Sequence, residues 1–139
     1  MTYGFSRASA LYQQTRTQGS VEDADPHRLT GMLLDGAIER IAQARGHIRH
    51  GDVAGKGTAI SKAIAIVGEL RGSLNHEVGG ELAARLDALY DYITRRLLIG
   101  QLNDDDAALA ECSALLEPVR EGWQGIRDAY LAGRQGSAA

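Results

Sequence analysis

Apolar residues recur every three or four positions in four successive blocks of the chain, which is the period of amphipathic α-helices. The first block follows Asp25-Pro26, where aspartate suits the N-cap and proline suits the first helical position. The second block spans about residues 52–74 and the third about 80–102, with a glycine-containing loop at 75–80 between them. The stripes of these blocks are Leu33, Ala37, Ile41, Ala44 and Ile48; Ile60, Ala63, Ile64, Val67, Leu70 and Leu74; and Leu82, Leu86, Leu89, Ile93 and Leu97.

The fourth block has Asn103 and Asp104 as candidate N-caps and contains Pro118. Because proline lacks the backbone N–H that a helix interior uses, we expect a kink or a break at Pro118. The apolar stripe of this block is Leu109, Cys112, Leu115, Leu116, Val119, Trp123, Ile126 and Tyr130.

Four helices joined by short loops predict an all-α fold, an antiparallel up-down four-helix bundle. Residues 26–131 form the bundle in this interpretation, and residues 132–139 form a disordered tail. Residues 1–25 form a mobile leader that is mostly polar and too short to be stable alone, so it carries at most a short helical or extended piece.

Composition narrows the class of protein. The 139 residues suffice for one domain, and an aromatic content of 5% requires an aliphatic core. A formal charge of −3 disfavours nucleic acid as a partner. The single cysteine, Cys112, rules out an internal disulfide and a cysteine-based zinc site. No secretory signal or membrane-length apolar run is visible, so we expect a cytoplasmic protein without membrane insertion.

The sequence offers little catalytic or metal-binding chemistry. His47 and His50 lie three residues apart, but two cations at a helix C-terminus explain them better than a metal pair. The run 104–106 of aspartates suits a solvated helix start, and Cys112 lies on an apolar stripe. An enzyme using His76 lacks convergent groups. We therefore expect no enzymatic activity, no cofactor and no metal.

The first three blocks carry more apolar residues than one packing seam needs. Buried bundle helices explain this surplus, and so does an exposed groove that takes up an amphipathic segment of another protein. Glycines inside the predicted helices, such as Gly36 and Gly68, fit either close packing or deliberate looseness. The residues that lie off the main stripes or border them, and that would line such a groove, are Ile38, Ile64, Ile66, Leu89, Tyr92 and Ile99.

Several short stretches, in order over about residues 11–130, carry a family resemblance. They are Leu33-Leu34-Asp35-Gly36-Ala37-Ile38, Glu69-Leu70-Arg71-Gly72-Ser73-Leu74, Gly79-Gly80-Glu81-Leu82-Ala83, Leu89-Tyr90-Asp91-Tyr92-Ile93 and Leu115-Leu116 through Trp123. This succession resembles the FliS family of flagellar secretion chaperones, which bind flagellin. The chain departs from the family's pattern at Leu34, where a tyrosine is usual, and at Pro118.

The resemblance implies a cytoplasmic export chaperone without enzymatic activity. Such a chaperone binds the disordered C-terminal segment of flagellin, prevents premature polymerisation and delivers flagellin to a component of the type III export gate. Leu11 and Tyr12 are an apolar pair in a polar leader, and we expect them to cover part of the groove when cargo is absent. A self-associating structural bundle, homo-oligomeric without cargo, remains an open alternative.

Overall fold

Four α-helices make up the part of the chain that the computed structural model describes, which is the backbone of residues 25–138 and the side chains of residues 25–126, 128 and 129. They are α1 (Pro26–Arg49), α2 (Val53–Gly72), α3 (His76–Asn103) and α4 (Asp106–Ala138). Each of α1 and α3 packs against both α2 and α4. The short connections turn each helix back along its predecessor, so the predicted all-α four-helix bundle is confirmed.

Side-chain caps fix where the helices begin. Asp25 accepts a hydrogen bond from Arg28 N at 2.7 Å, and Asp52 accepts one from Gly55 N at 2.9 Å. Both aspartates satisfy an N–H group that has no partner within the helix. The fourth helix is capped by Asp105, which accepts from Ala108 N at 3.1 Å, so the expectation of a cap at residue 103 or 104 was wrong.

The reason for this shift lies in the preceding helix. Asn103 still belongs to α3, and Asp104 takes the left-handed conformation that ends it, with φ 50°. In place of capping α4, the Asp104 carboxylate pairs with Lys56 Nζ, which also donates to the Gln101 carbonyl at 3.0 Å. Lys56 is buried and joins the start of α2 to the end of α3.

Helix α3 begins earlier than the sequence pattern predicts. Residues 76–79, expected in a loop, form a helical turn capped by Asn75, whose side chain accepts from Val78 N at 3.1 Å. Gly80 then interrupts the helix with φ 51° and ψ −123°. Residues with a Cβ rarely adopt such angles, so glycine allows this turn to join the long helix at an angle.

Pro118 does not break α4, which continues through it to Ala138, past the predicted end of the bundle at Leu131. The proline is exposed, and so is Ala114, whose carbonyl lacks the N–H that a non-proline residue would offer. Water reaches that side of the helix, which reduces the cost of the missing bond. The division into leader, bundle and tail otherwise stays a prediction.

The core is aliphatic, as the composition predicts. Each helix contributes fully buried side chains, and an average buried leucine or isoleucine contributes about 1.5–3 kcal/mol through its removal from water. The largest are Leu34, Ile41, Ile60, Ile66, Leu70, Ile93, Leu97, Leu109 and Leu116.

Candidate partner-binding surface

The relative position of α3 and α4 is fixed by contacts between the second half of α3 and the second turn of α4. Cys112 Sγ lies 3.6 Å from the Ile93 carbonyl oxygen, and Tyr92 and Arg96 both bond to Glu111. The helices are antiparallel, so moving toward the start of α3 means moving toward the end of α4. Positions before Ile93 on α3 are therefore level with positions after Cys112 on α4.

Helical periodicity, counted from Tyr92 and Arg96 on α3 and from Glu111 on α4, places five apolar residues on the edges by which these helices face each other. We call these residues the α3–α4 seam; they are Leu82, Leu89, Leu115, Val119 and Ile126. Leu89, Leu115 and Val119 are half-buried and pack on the core, whereas Leu82 is 62% exposed and Ile126 is 56% exposed. Val78, which precedes the interruption at Gly80, is 86% exposed. The seam thus becomes less covered toward the start of α3.

A polar bridge spans the seam beyond Leu89. The Tyr92 hydroxyl donates to Glu111 Oε2 at 2.6 Å, and Arg96 Nε donates to Glu111 Oε1 at 2.7 Å. These two hydrogen bonds stabilise the carboxylate and lower the pKa of Glu111. The hydrogen bond to Glu111 raises the pKa of Tyr92. The Arg95 guanidinium lies 5.9 Å from the centre of the Tyr92 ring, within the range of a cation–π contact.

The structure places three of the predicted groove residues on this edge of α3. Leu89 is a member of the seam, Tyr92 belongs to the polar bridge, and Ile99 is half-buried two turns beyond Tyr92. Ile38 and Ile64 are half-buried on α1 and α2 and pack against the core, away from the seam. Leu11 and Tyr12 lie outside the described residues. Contact of any of these residues with a partner stays a prediction.

The sequence pattern predicts that Ile66 lies in the exposed groove, and this prediction is wrong. The side chain is only 1% exposed. Its Cδ1 atom lies 3.5 Å from the point where a Cβ at Gly36 would stand. That separation is an ordinary van der Waals contact, so Ile66 packs beside Gly36 and a methyl group at Gly36 would fit there as well. At Gly68 nothing lies within 4 Å of the corresponding point.

Sequence reasoning missed the exposed members of the seam. Leu82 and Ile126 fall on the predicted core stripes, yet both are largely exposed. The available signal was the width of the fourth stripe, where Leu115 and Leu116 are adjacent and cannot both face the centre. Leu116 is fully buried and Leu115 faces α3 at the seam.

The residues considered for chemistry have structural partners. His47 Nδ1 lies 3.1 Å from Asp52, and Asp106 accepts two hydrogen bonds from Arg45, at 2.8 and 3.1 Å. Cys112 is fully buried in the core, and this burial raises the pKa of its thiol to about 12. Among the described residues, no three His, Cys, Asp or Glu side chains are grouped to hold a metal ion.

No helix within residues 25–138 combines the length and apolarity needed to cross a membrane. The described features define a helical bundle whose exposed apolar surface, rather than a polar pocket or metal centre, is its distinctive site. Comparison with known proteins agrees with this class. The chain belongs to the FliS family, because the family model described as flagellar protein FliS matches residues 8–130.

Individual relatives support this assignment. The chain is 47% identical to flagellar secretion chaperone FliSB of Pseudomonas aeruginosa over 120 residues, which cover 86% of this chain and 95% of that protein. It is 43% identical to flagellar secretion chaperone FliS of Salmonella typhimurium over 116 residues, covering 83% and 86% of the two chains. The predicted family resemblance is confirmed, and the family is one of export chaperones and not of enzymes.

Proposed function

We propose that this chaperone binds the disordered C-terminal segment of flagellin along the α3–α4 seam. By doing so it prevents premature polymerisation in the cytoplasm and delivers flagellin to the type III export gate. The observation that carries the proposal is the rise in exposure from the half-buried Leu89 to Leu82, which is 62% exposed, on the edge of α3 that helical periodicity turns toward α4. An apolar stripe on a partner helix would complete the cover that α3 and α4 leave incomplete.

Coupled folding explains how such a complex holds its cargo and still releases it. A segment that is disordered when free must lose conformational entropy to form a helix on the seam, and this ordering costs several kcal/mol of the gross contact energy. Burial of about 1,000 Å² or more gives a specific contact despite that cost. The cargo therefore binds tightly enough to be protected and weakly enough to be handed over.

The polar bridge gives the bound segment a defined limit. Tyr92, Glu111 and Arg96 satisfy one another across the seam, so an apolar helix that advanced beyond Leu89 would have to disrupt charged hydrogen bonds. Leu89 and Tyr92 then contact the segment near this limit. Ile99 lies beyond the bridge, and Ile38 and Ile64 lie on other helices, so contact with them requires a longer cargo that continues around the bundle.

The leader regulates access in this proposal. Leu11 and Tyr12 occupy part of the apolar surface in the absence of cargo, and flagellin displaces them. If two copies cover the same surface instead, cargo should convert a homo-oligomer to a one-to-one complex. Light scattering with and without flagellin distinguishes these resting states, because only the second changes the number of chaperone chains in each particle.

A pull-down with paired variants tests the binding surface. Leu82→Asp should greatly reduce capture of full-length flagellin, because a carboxylate would then lie in the apolar contact. Leu102→Asp is the matched control, since Leu102 is an exposed leucine at the other end of the same helix. Both variants should keep wild-type helicity by circular dichroism. Equal capture of full-length flagellin by the two variants would contradict the proposal. So would capture of flagellin lacking its C-terminal helix by the wild-type chaperone as efficiently as full-length flagellin.

A further inference from the structure

A cavity of about 360 Å³ opens on the flank of α4 opposite the α3–α4 seam, where the first turns of α1 meet the second half of α4. Its lining includes His27, Gly31 and Met32 of α1 and Trp123 of α4. The volume is at the lower end of the roughly 300–1,000 Å³ typical of ligand pockets. The cavity therefore suits a few side chains of a short segment rather than a whole helix.

The floor of the cavity is an apolar surface held in one orientation. The imidazole of His27 stacks on the indole of Trp123, with ring centres 4.5 Å apart and planes inclined by 16°. Trp123 Nε1 donates a 2.7 Å hydrogen bond to the His27 carbonyl. Trp123 Cδ1 lies 3.7 Å from the point where a Cβ at Gly31 would stand, so the indole lies against the α1 backbone. Trp123 is half-buried and Met32 is 38% exposed, so part of this apolar floor is uncovered.

Charge does not select the occupant of this cavity. Glu117 and Asp35 already accept hydrogen bonds from Arg120, at 2.7 and 3.5 Å. At the start of α1, the Asp25 carboxylate lies beside Arg28 and accepts a hydrogen bond from its backbone N–H. The occupant must therefore be recognised by apolar contact with the floor and by its position in space.

The chain that leads into α1 brings an apolar side chain to this place. Asp25 caps α1 with an extended backbone, φ −85° and ψ 163°. Val21 is the one large apolar residue among residues 13–24. Because a residue spans at most about 3.6 Å, Val21 lies within about 14 Å of Asp25. The α1 side of the cavity, from His27 to Asp35, extends over about 12 Å, so Val21 can reach its floor.

We propose that residues 20–24 fold back over the cavity and that Val21 packs on Trp123 and Met32. The connection to α1 selects this occupant, because a short tether gives an effective concentration in the millimolar range. A more dilute segment of another protein would have to displace it. In an extended segment successive side chains point to opposite sides, so Glu22 stays in water while Val21 faces the floor.

Docking of Val21 directs the rest of the leader across α4. The ten residues from Leu11 to Val21 can span about 33–36 Å, which exceeds the diameter of a helix, about 10–12 Å. Leu11 and Tyr12 can therefore pass over α4 and reach the α3–α4 seam. This consequence rests on the proposed resting state of the leader, whereas the docking of Val21 does not.

Disulfide trapping in the full-length chain tests the contact. Val21→Cys is combined with Met32→Cys in the cavity or, as a control, with Glu121→Cys, which is exposed at the same level of α4 but outside the cavity lining. An intramolecular disulfide should form at least about tenfold faster in the first pair, because docking raises the effective thiol concentration there. Equal rates would overturn the proposal. A disulfide between two chains would also overturn it, because a second copy would then be the occupant.

The emission of Trp123, the single tryptophan of the sequence, provides an independent readout. Val21→Asp should undock the segment, shift the emission to longer wavelength and increase quenching by acrylamide, because a carboxylate is unfavourable on an apolar floor. Val53→Asp is the matched control, since it replaces an exposed valine at the start of α2 and changes the net charge equally. Identical emission and quenching in the two variants would contradict docking. Neither measurement involves flagellin, so this proposal and the flagellin proposal fail independently.

Discussion

Tyr92 and Glu111 join α3 to α4 through a 2.6 Å hydrogen bond at the point where the exposed apolar seam ends. The donor is a hydroxyl and the acceptor a carboxylate that Arg96 also holds. The strength of this contact between α3 and α4 therefore depends on the ionisation of Glu111, because a protonated Glu111 is a poorer acceptor for Tyr92 and Arg96.

The stability of the bundle against unfolding should therefore depend on pH through the ionisation of Glu111. Glu111 has a lowered pKa in the folded state, so its contribution is present above the pKa of the unfolded chain and is lost as pH falls through the folded value. Tyr92→Phe removes the largest cause of that shift. Urea unfolding midpoints at pH 7 and at about pH 3 should thus differ less in the variant than in the wild type. An unchanged pH dependence would show that the bridge does not form in solution.

Shortening Ile66 should destabilise the fold rather than the complex. Ile66→Ala leaves a cavity between α1 and α2 and should lower the free energy of unfolding by about 2–5 kcal/mol. Val53→Ala is the control on the same helix. Because Val53 is exposed, this substitution should change the free energy of unfolding by less than about 0.5 kcal/mol. Denaturant titration measures both. Similar values for the two variants would be incompatible with a buried Ile66.

Two glycine-to-alanine changes should have opposite signs. Gly80→Ala places a Cβ at φ 51° and should cost about 1–3 kcal/mol of stability. Gly68→Ala falls inside α2 with open space around the new methyl group, and should add up to about 1 kcal/mol through helix propensity. Thermal melts of the two variants compare them directly. Stabilisation by both would mean that Gly80 does not interrupt α3 as described.

Removal of residues 1–18 should strengthen flagellin binding. The deletion takes away Leu11 and Tyr12, which compete with cargo in the proposed resting state. Calorimetric titration of the flagellin C-terminal segment into both forms gives the affinity ratio. A double change of Leu11 and Tyr12 to serine in the full-length chain serves as the control for leader length. If neither form binds cargo more tightly than the wild type, the leader does not act as a lid.

Local signals in the sequence predicted most of the fold. Asp25-Pro26 and Asp52 mark helix starts that the structure confirms, because N-caps act through residues a few positions away. The cap of α4 was misplaced because Asn103 still belongs to α3 and Asp104 pairs with Lys56, which is distant in sequence. The helical turn before Gly80 was missed because a pair of glycines indicates a loop as readily as an interrupted helix.

The site was harder to predict than the fold. A helical wheel gives the angle between side chains on one helix but not which neighbour each arc faces. Ile66 was therefore placed at the surface although it is buried, and Leu82 was placed in the core although it is exposed. The packing of neighbouring helices decides both cases: Ile66 lies against α1 beside Gly36, whereas Leu82 is left largely uncovered.

The burial of Cys112 has a practical consequence. The chain has one native thiol, and its high pKa and full enclosure protect it from alkylation in the folded state. A cysteine introduced at an exposed position such as Ser61 is then the one site that a maleimide fluorophore or nitroxide spin label modifies. Distances between such labels and a labelled cargo can be measured without altering the native core.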